Sequence, residues 1–252
     1  MEATETELRR SEMSVSALYM KEFKFQQFSI QQDKLVFRVG TDAVLLGALA
    51  NVSDAKNVLE VGTGTGIISL MIAQRNPDAK ILAIDINSEA VNISQTNFSN
   101  SPFSNRIKSQ LQDLKNFETD EKFDLIISNP PYFEINNSEK DILARQRLEL
   151  NFSDLIKKSS QLLSKNGLFS VIIPIDSEKE FTEICFKNKL FLHRKVVIKG
   201  IKTSEPKRLV LEYSLIEKEI KVENFVIEKS PRVYSDEYLE LTKDFHQFNK
   251  KA

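Results

Sequence analysis

The chain reads as a doubly wound α/β protein: a mostly parallel central sheet, helices on both faces and an antiparallel hairpin at the sheet's edge. Three observations predict this. Short apolar runs alternate with helical segments from residue 57 onward, the pattern of strands covered on both faces by crossover helices. A glycine-rich turn, Gly62-Thr63-Gly64-Thr65-Gly66, joins the first of these runs to its helix. Acids then close the next two strands, at the sheet edge where doubly wound folds bind ligands.

Residues 1–20 are polar without a period and are expected to form a disordered leader, with Met20 as an alternative start. Residues 21–252 are expected to form a single domain. Phe23, Phe25 and Phe28 alternate with polar residues and predict a short strand, Leu35 to Val39 a second one; the three rings are assigned to the core rather than to a cleft. Gly40-Thr41-Asp42 opens the apolar stretch Ala43 to Ala50, with Asp42 or Thr41 as helix N-cap. Strands are expected at Asn57–Val61, Lys80–Ile84, Ile107–Leu111, Phe123–Ser128 and Leu168–Ile173. Helices are expected at Ile67–Gln74, Ser88–Asn97, Phe152–Leu163 and Glu178–Lys187, with Asn166-Gly167 as the C-cap of the third. Val196–Ile198 and Leu209–Leu215 lack an intervening helix and predict the hairpin. Residues 134–151 are polar and read as a loop over the active site.

Composition excludes several classes. With 252 residues, 41% of them hydrophobic and 28% charged, the chain can bury a sizeable core and is not disordered as a whole. The lone Cys185 excludes a disulfide framework and is assigned to the core. Two histidines, His193 and His246, argue against a zinc site, and no metal is expected. No apolar run approaches the roughly 18 residues of a membrane span, and no signal peptide is evident, so a reducing cytoplasm is expected. Net charge is −1, without the basic excess of a dedicated nucleic-acid binder. The balance is nevertheless uneven: residues 187–208 carry a local net of +7, with Glu205 their only acid. Such a run can track an RNA backbone, with Lys199 and Lys202 as contacts, or serve as a solvated edge-strand face.

The glycine turn differs from a dinucleotide fingerprint, because its third glycine, Gly66, comes one residue early. Glu60 sits inside the strand end, two residues before Gly62. An acid there suits a cationic ligand better than a pyrophosphate, and S-adenosylmethionine carries an ammonium and a sulfonium but no phosphate. Asp85 is positioned to take two ribose hydroxyls through charge-assisted hydrogen bonds. Asp113 is positioned to accept from the cofactor's adenine amino group. Gly62, Gly64 and Gly66 would let the backbone approach the cofactor closely.

Asn129-Pro130-Pro131-Tyr132 follows the fourth strand. An exocyclic amino group is a poor nucleophile because its lone pair is delocalised into the ring. The Asn129 side-chain oxygen can accept one N–H and the Pro130 carbonyl the other, drawing the nitrogen toward tetrahedral geometry. The prolines fix that carbonyl and remove a competing donor. Tyr132 offers a face on which a flipped base stacks, worth about 1–3 kcal/mol.

With these residues in view, the chain resembles the bacterial N6-adenine methyltransferases that modify adenine 37, next to the anticodon, of a valine tRNA. The matching pieces are Phe25-Gln26-Gln27-Phe28, Val39 to Gly47, Glu60 to Gly66, Phe123 to Phe133, and Tyr234-Ser235-Asp236-Glu237-Tyr238 followed by Leu241-Thr242. The resemblance spans residues 22–249. It implies a Rossmann-like class I methyltransferase, cofactor contacts at Thr41, Glu60, Gly62, Asp85 and Asp113, and the target amino group at Asn129. Arg145 and Arg147 fall where that family carries a basic stretch, which marks them as phosphate contacts. The implied partner is tRNA, with no membrane and no obligate protein partner. Protein glutamine, DNA adenine and ribosomal RNA guanine methylation stay open as alternatives, as does a cofactor-binding module without catalysis. The short segment before the glycine turn counts against the glutamine enzymes, which carry a helical recognition domain there.

Overall fold

The computed structural model describes residues 19–33, 36, 39–130 and 151–247. Tyr19–Lys24 (β1) and Ser29–Asp33 (β2) pair as an antiparallel ribbon. Then follow Thr41–Leu49 (α1), Asn57–Val61 (β3), Ile67–Arg75 (α2), Lys80–Asp85 (β4), Ser88–Ser99 (α3), Ile107–Leu111 (β5) and Phe123–Ser128 (β6). The second half comprises Phe152–Leu162 (α4), Leu163–Pro174 (β7), Glu178–Lys187 (α5), Phe191–Ile201 (β8), Pro206–Ser214 (β9), Lys221–Ser230 (β10), Val233–Tyr234 (β11) and Asp236–Thr242 (α6).

The large sheet runs β11-β10-β8-β9-β7-β6-β3-β4-β5. β3 pairs in parallel with both β4 and β6, so the chain order reverses there and opens a crevice at the carboxyl edge. The strands read as continuous apolar runs because both faces are covered. In β6, Leu125 and Ile127 pack with Leu45, Met71 and Phe98 of α1–α3. Ile126 packs on the opposite face with Ile156 of α4 and with Phe181 and Cys185 of α5. Each such buried side chain contributes about 1.5–3 kcal/mol. Cys185 is buried as expected.

Several expectations are corrected. A strand not expected from the sequence, β2, pairs with β1; of the expected strand Leu35–Val39, Leu35, Phe37 and Arg38 lie outside the described residues. Residues 1–18 of the expected leader also lie outside them, whereas Tyr19 and Met20 already belong to β1. Phe25 and Phe28 are buried with ring centroids 4.7 Å apart, while Phe23 is exposed. Gly40, rather than Thr41 or Asp42, is the N-cap of α1. Asp42 is taken instead by Arg208, whose Nε donates to Oδ2 at 2.9 Å. Asn166-Gly167 is not a helix C-cap: α4 ends at Leu162 and the chain enters β7 at once. Pairing of Leu163 with Phe123 captures the chain there, and the register then slips before Leu125 pairs with Leu168. The β8–β9 hairpin is antiparallel, and longer than its apolar stretches suggest. It does not end the sheet, since β10 adds in parallel to β8 and β11 pairs antiparallel with β10.

Part of the basic run is structural. Arg194 donates from Nε and Nη2 to the two Glu223 oxygens at 2.9 and 3.1 Å, and from Nη1 to Leu49 O at 2.8 Å. Its Nη1 also lies 3.4 Å from Glu212 Oε2, and Glu212 is 0% exposed. Glu212 Oε1 accepts from Asn51 N at 2.7 Å, tying the end of α1 to the sheet. Removing the guanidinium strands a buried carboxylate. Arg194→Met is therefore expected to cost about 3–5 kcal/mol, and Lys243→Met, which breaks an exposed pair with Glu240, to leave stability almost unchanged. Urea unfolding of both variants checks this; equal losses would remove the special standing of Arg194.

Candidate active site

The parallel register assembles the site. Val61 pairs with Ile84 on one side and with Ser128 on the other, and Asp85 pairs with Leu111. The next residues along β3 and β6 are Gly62 and Asn129. Leu111, Asp85, Gly62 and Asn129 thus form one row across the carboxyl edge. At about 4.8 Å per strand, the Asp85 and Asn129 backbones stand about 10 Å apart. Ser128 Oγ donates to Val61 O at 2.8 Å and locks the end of β6 to that of β3.

Glu60 lies beneath the glycine turn at 1% exposure. Its Oε2 accepts from Thr63 Oγ1 at 2.9 Å, from Ser69 N at 3.2 Å and from Ser69 Oγ. Among the described residues its Oε1 has no hydrogen-bond partner. Burial, with a smaller push from Asp85, raises the Glu60 carboxyl from an ordinary 4.5 to about 7 against the pull of those donors. Glu60 therefore organises the turn from below.

Above it, Gly62 and Gly64 have positive φ of 76° and 54°, and a Cβ on either would project into open space. Gly66 differs, because a Cβ there would stand 2.4 Å from Phe98 Cε1. It serves close packing of α2 on α3 rather than the crevice.

Asp85 is half-buried, with Oδ2 accepting from Gly64 N and Oδ1 from Asn87 N, both at 3.0 Å. Two hydrogen bonds leave lone pairs on both oxygens for a ligand. Asp113 lies beyond the end of β5, where Oδ1 accepts from Lys115 N at 2.9 Å and caps a short 3₁₀ turn. Two further candidate residues are absent from the sequence reading. Ile86 and Leu111 are 52% and 57% exposed beside Asp85, apolar surface that suits the faces of a flat ring. An isoleucine directly after a strand-ending acid is the signal that marks the first.

Asn129 is half-buried and Pro130 buried. Pro131, Tyr132, Arg145 and Arg147 lie outside the described residues, as does the expected loop up to residue 150. Thr41 is exposed at the start of α1, which Asp42 and Arg208 tie to the start of β9. Lys199 ends near the tip of β8 and Lys202 lies in the turn after it. Both occupy the same carboxyl edge, since β8 runs parallel with β7 through the intervening antiparallel β9. Among the described residues, no group of three or more His, Cys, Asp or Glu is placed to hold a metal ion.

Residues 37–198 match the family described as the methyltransferase small domain. A tRNA1(Val) (adenine(37)-N6)-methyltransferase of Flavobacteriaceae bacterium strain 3519-10 is 56% identical over 231 residues, covering 91% of this chain and 100% of that protein. One of the same name from Phocaeicola vulgatus is 41% identical over 228 residues, covering 89% and 97%. Among solved structures, a predicted O-methyltransferase from Agrobacterium tumefaciens is similar with a TM-score of 0.65 at 19% identity, over 81% of this chain and 96% of that one. The ribosomal protein L11 methylase of Lactobacillus delbrueckii subsp. bulgaricus gives 0.51 at 22% identity, over 71% and 80%. Those two show the fold, that of a class I methyltransferase. Near-complete coverage at such identity adds what the fold by itself does not: this chain belongs to the tRNA1(Val) (adenine(37)-N6)-methyltransferase family.

Proposed function

We propose that the chain transfers a methyl group from S-adenosylmethionine to the exocyclic N6 amino group of adenine 37 in the anticodon loop of a valine tRNA. The observation that carries this reading is the row Asp85, Gly62, Asn129, which sets hydroxyl acceptors and a carboxamide about 10 Å apart on one crevice. The relatives' names supply the base and the tRNA. They lend nothing to the glutamine, DNA or ribosomal RNA alternatives.

The residues fit the cofactor. Asp85 has lone pairs for ribose hydroxyls, and the exposed Ile86 and Leu111 suit the two faces of adenine. Asp113 keeps a lone pair on each oxygen for the ring's amino group beyond its bonds from Lys115 N to Oδ1 and Asn116 Nδ2 to Oδ2. Gly62 and Gly64 leave space for a ligand against their backbone, and Thr41 stands at the start of α1 on the same edge. Glu60 Oε1, without a hydrogen-bond partner among the described residues, lies beneath the turn, where a bound cation would favour the ionised carboxylate.

When bound, S-adenosylmethionine supplies an electrophilic methyl whose leaving group is a neutral thioether. The protein's task is alignment for in-line displacement. Asn129 Oδ1 and the Pro130 carbonyl accept the two N6 hydrogens and direct the lone pair out of the ring plane. One of those protons leaves to solvent as the N–C bond forms. Tyr132 stacks on the flipped base, and Arg145, Arg147, Lys199 and Lys202 contact phosphates. No metal takes part in this scheme, and no protein partner is required. A cytoplasmic location goes with a tRNA substrate; no helix among the described residues is long and apolar enough to cross a membrane.

Transfer of a labelled methyl group to total tRNA, compared with a release factor and with duplex DNA, tests the substrate. Nucleoside mass spectrometry of tRNA from a deletion strain is expected to lack the 6-methyladenosine seen in its parent; an unchanged level would reject the reading. Asn129→Ala is expected to abolish transfer with cofactor affinity nearly intact. A parallel fall in calorimetric affinity would make Asn129 structural. Asp85→Ala is expected to weaken cofactor binding by about 1.5–3 kcal/mol through lost charged hydrogen bonds, and unchanged affinity would take it out of the site.

Glu60 makes the fold pH-sensitive. Its carboxyl binds a proton more readily folded (about 7) than unfolded (4.5), so stability falls as pH rises across that window and levels off above it. Scanning calorimetry of the ligand-free protein is expected to show Tm dropping between pH 5 and 7.5 (roughly that window) relative to Glu60→Gln. Saturating S-adenosylmethionine, whose cation offsets the buried charge, is expected to remove that difference. Parallel profiles for the two ligand-free proteins would contradict the raised value.

A further inference from the structure

The hairpin of β8 and β9 overhangs the crevice. The row through Ser128 passes to Val171 on β7, Leu211 on β9 and Lys195 on β8. β6 ends at Ser128, whereas β8 continues from Lys195 to Ile201 before the chain turns back. At about 3.3 Å per residue, the tip stands about 20 Å beyond the level of Ser128, displaced sideways by three strand spacings, about 14 Å.

Charge is distributed unevenly along this overhang. Near the level of Ser128 the cations are consumed by the fold, Arg194 by Glu223 and Glu212, and Lys195 by Glu178. Toward the tip, Arg208 is held by Asp42. Lys199, Lys202 and Lys207 make no ion pair among the described residues; Lys202 and Lys207 are exposed and Lys199 half-buried. The nearby acids are Glu205 in the turn and Glu228, whose position on β10 pairs with Ile201. A register shift after Ile198 sets Lys199 opposite Pro206 and leaves Lys207 in a bulge of β9, at the point where the hairpin ladder ends. By contrast the row at the crevice carries Asp85, with Asp113 just beyond it, and these acids repel phosphate. An RNA drawn to this edge finds its cationic contacts on the overhang.

The two displacements combine to about 24 Å, which at one phosphate per about 3.4 Å along each strand of a helix corresponds to about seven nucleotide steps from the target base. The loop closes into paired stem within that distance of adenine 37. Resting on the tRNA reading above, we propose that Lys199, Lys202 and Lys207 on the overhanging β8–β9 tip grip the phosphate backbone of the paired anticodon stem, while the row at Asn129 engages the loop base alone.

The test compares the full-length protein with its Lys199→Gln/Lys202→Gln/Lys207→Gln variant on three RNAs: whole tRNA, the isolated anticodon stem-loop, and an unpaired oligonucleotide of the loop sequence. For tRNA and stem-loop the variant is expected to raise KM about tenfold and to flatten the log Kd against log salt slope by about one for each lysine. Its kcat, its cofactor affinity and its KM for the unpaired oligonucleotide are expected to stay unchanged. Transfer retained with an unaltered slope, or an equal loss on the unpaired oligonucleotide, would overturn this inference alone. No transfer to any of the RNAs by the unaltered protein would overturn the tRNA reading, and this inference with it.

Discussion

One carboxylate oxygen organises the centre of this molecule. Glu60 Oε2 gathers the hydroxyls of Thr63 and Ser69 and the Ser69 amide, so the glycine turn and the first turn of α2 are built on a single buried acceptor. The arrangement costs the protein: among the described residues Oε1 is buried without a partner, and the carboxyl holds its proton up to about 7. A buried polar group left in this state is ordinarily selected against energetically. Its position under an open turn, where a cation would recover the lost interaction, is the physical sense of keeping it.

The row at the switch point then follows from sheet geometry. Parallel pairing of β3 with both neighbours sets three strand ends level, and each end carries a different function: backbone space at Gly62, a carboxylate at Asp85, a carboxamide at Asn129. None of the three is near another in the chain. Hydrogen bonds at the strand ends, such as Ser128 Oγ to Val61 O, hold the row to the precision that displacement chemistry needs. The later strands leave that row and extend the sheet sideways and upward. The basic segment divides there between internal neutralisation, at Arg194, Lys195 and Arg208, and outward display, at Lys199, Lys202 and Lys207.

The departures from the sequence reading have physical causes. β10 lacks the apolar run that marks a central strand: its outer neighbour is only the two-residue β11, and Phe225 alone of its residues is deeply buried. The α1 cap was misassigned because Asp42 has a stronger partner in Arg208, a residue remote in sequence. Asn166-Gly167 looks like a helix stop, but strand pairing captures the chain at Leu163 first. Arg194 reads as one cation among eight in its run until the buried Glu212 beside it is seen.

Alternation of strands and helices, the glycine turn, the acids at Glu60, Asp85 and Asp113, and the Asn129-Pro130 pair are all legible along the chain. These are local signals, set by periodicity and by residues whose chemistry needs a particular backbone. Only the tertiary structure decided which strand ends stand level, which cations are neutralised, that Gly66 meets Phe98 rather than the crevice, and how far the β8–β9 tip rises past Ser128. Those depend on register and on partners distant along the chain, and hydrophobic pattern specifies the face of a strand far better than the neighbour it pairs with.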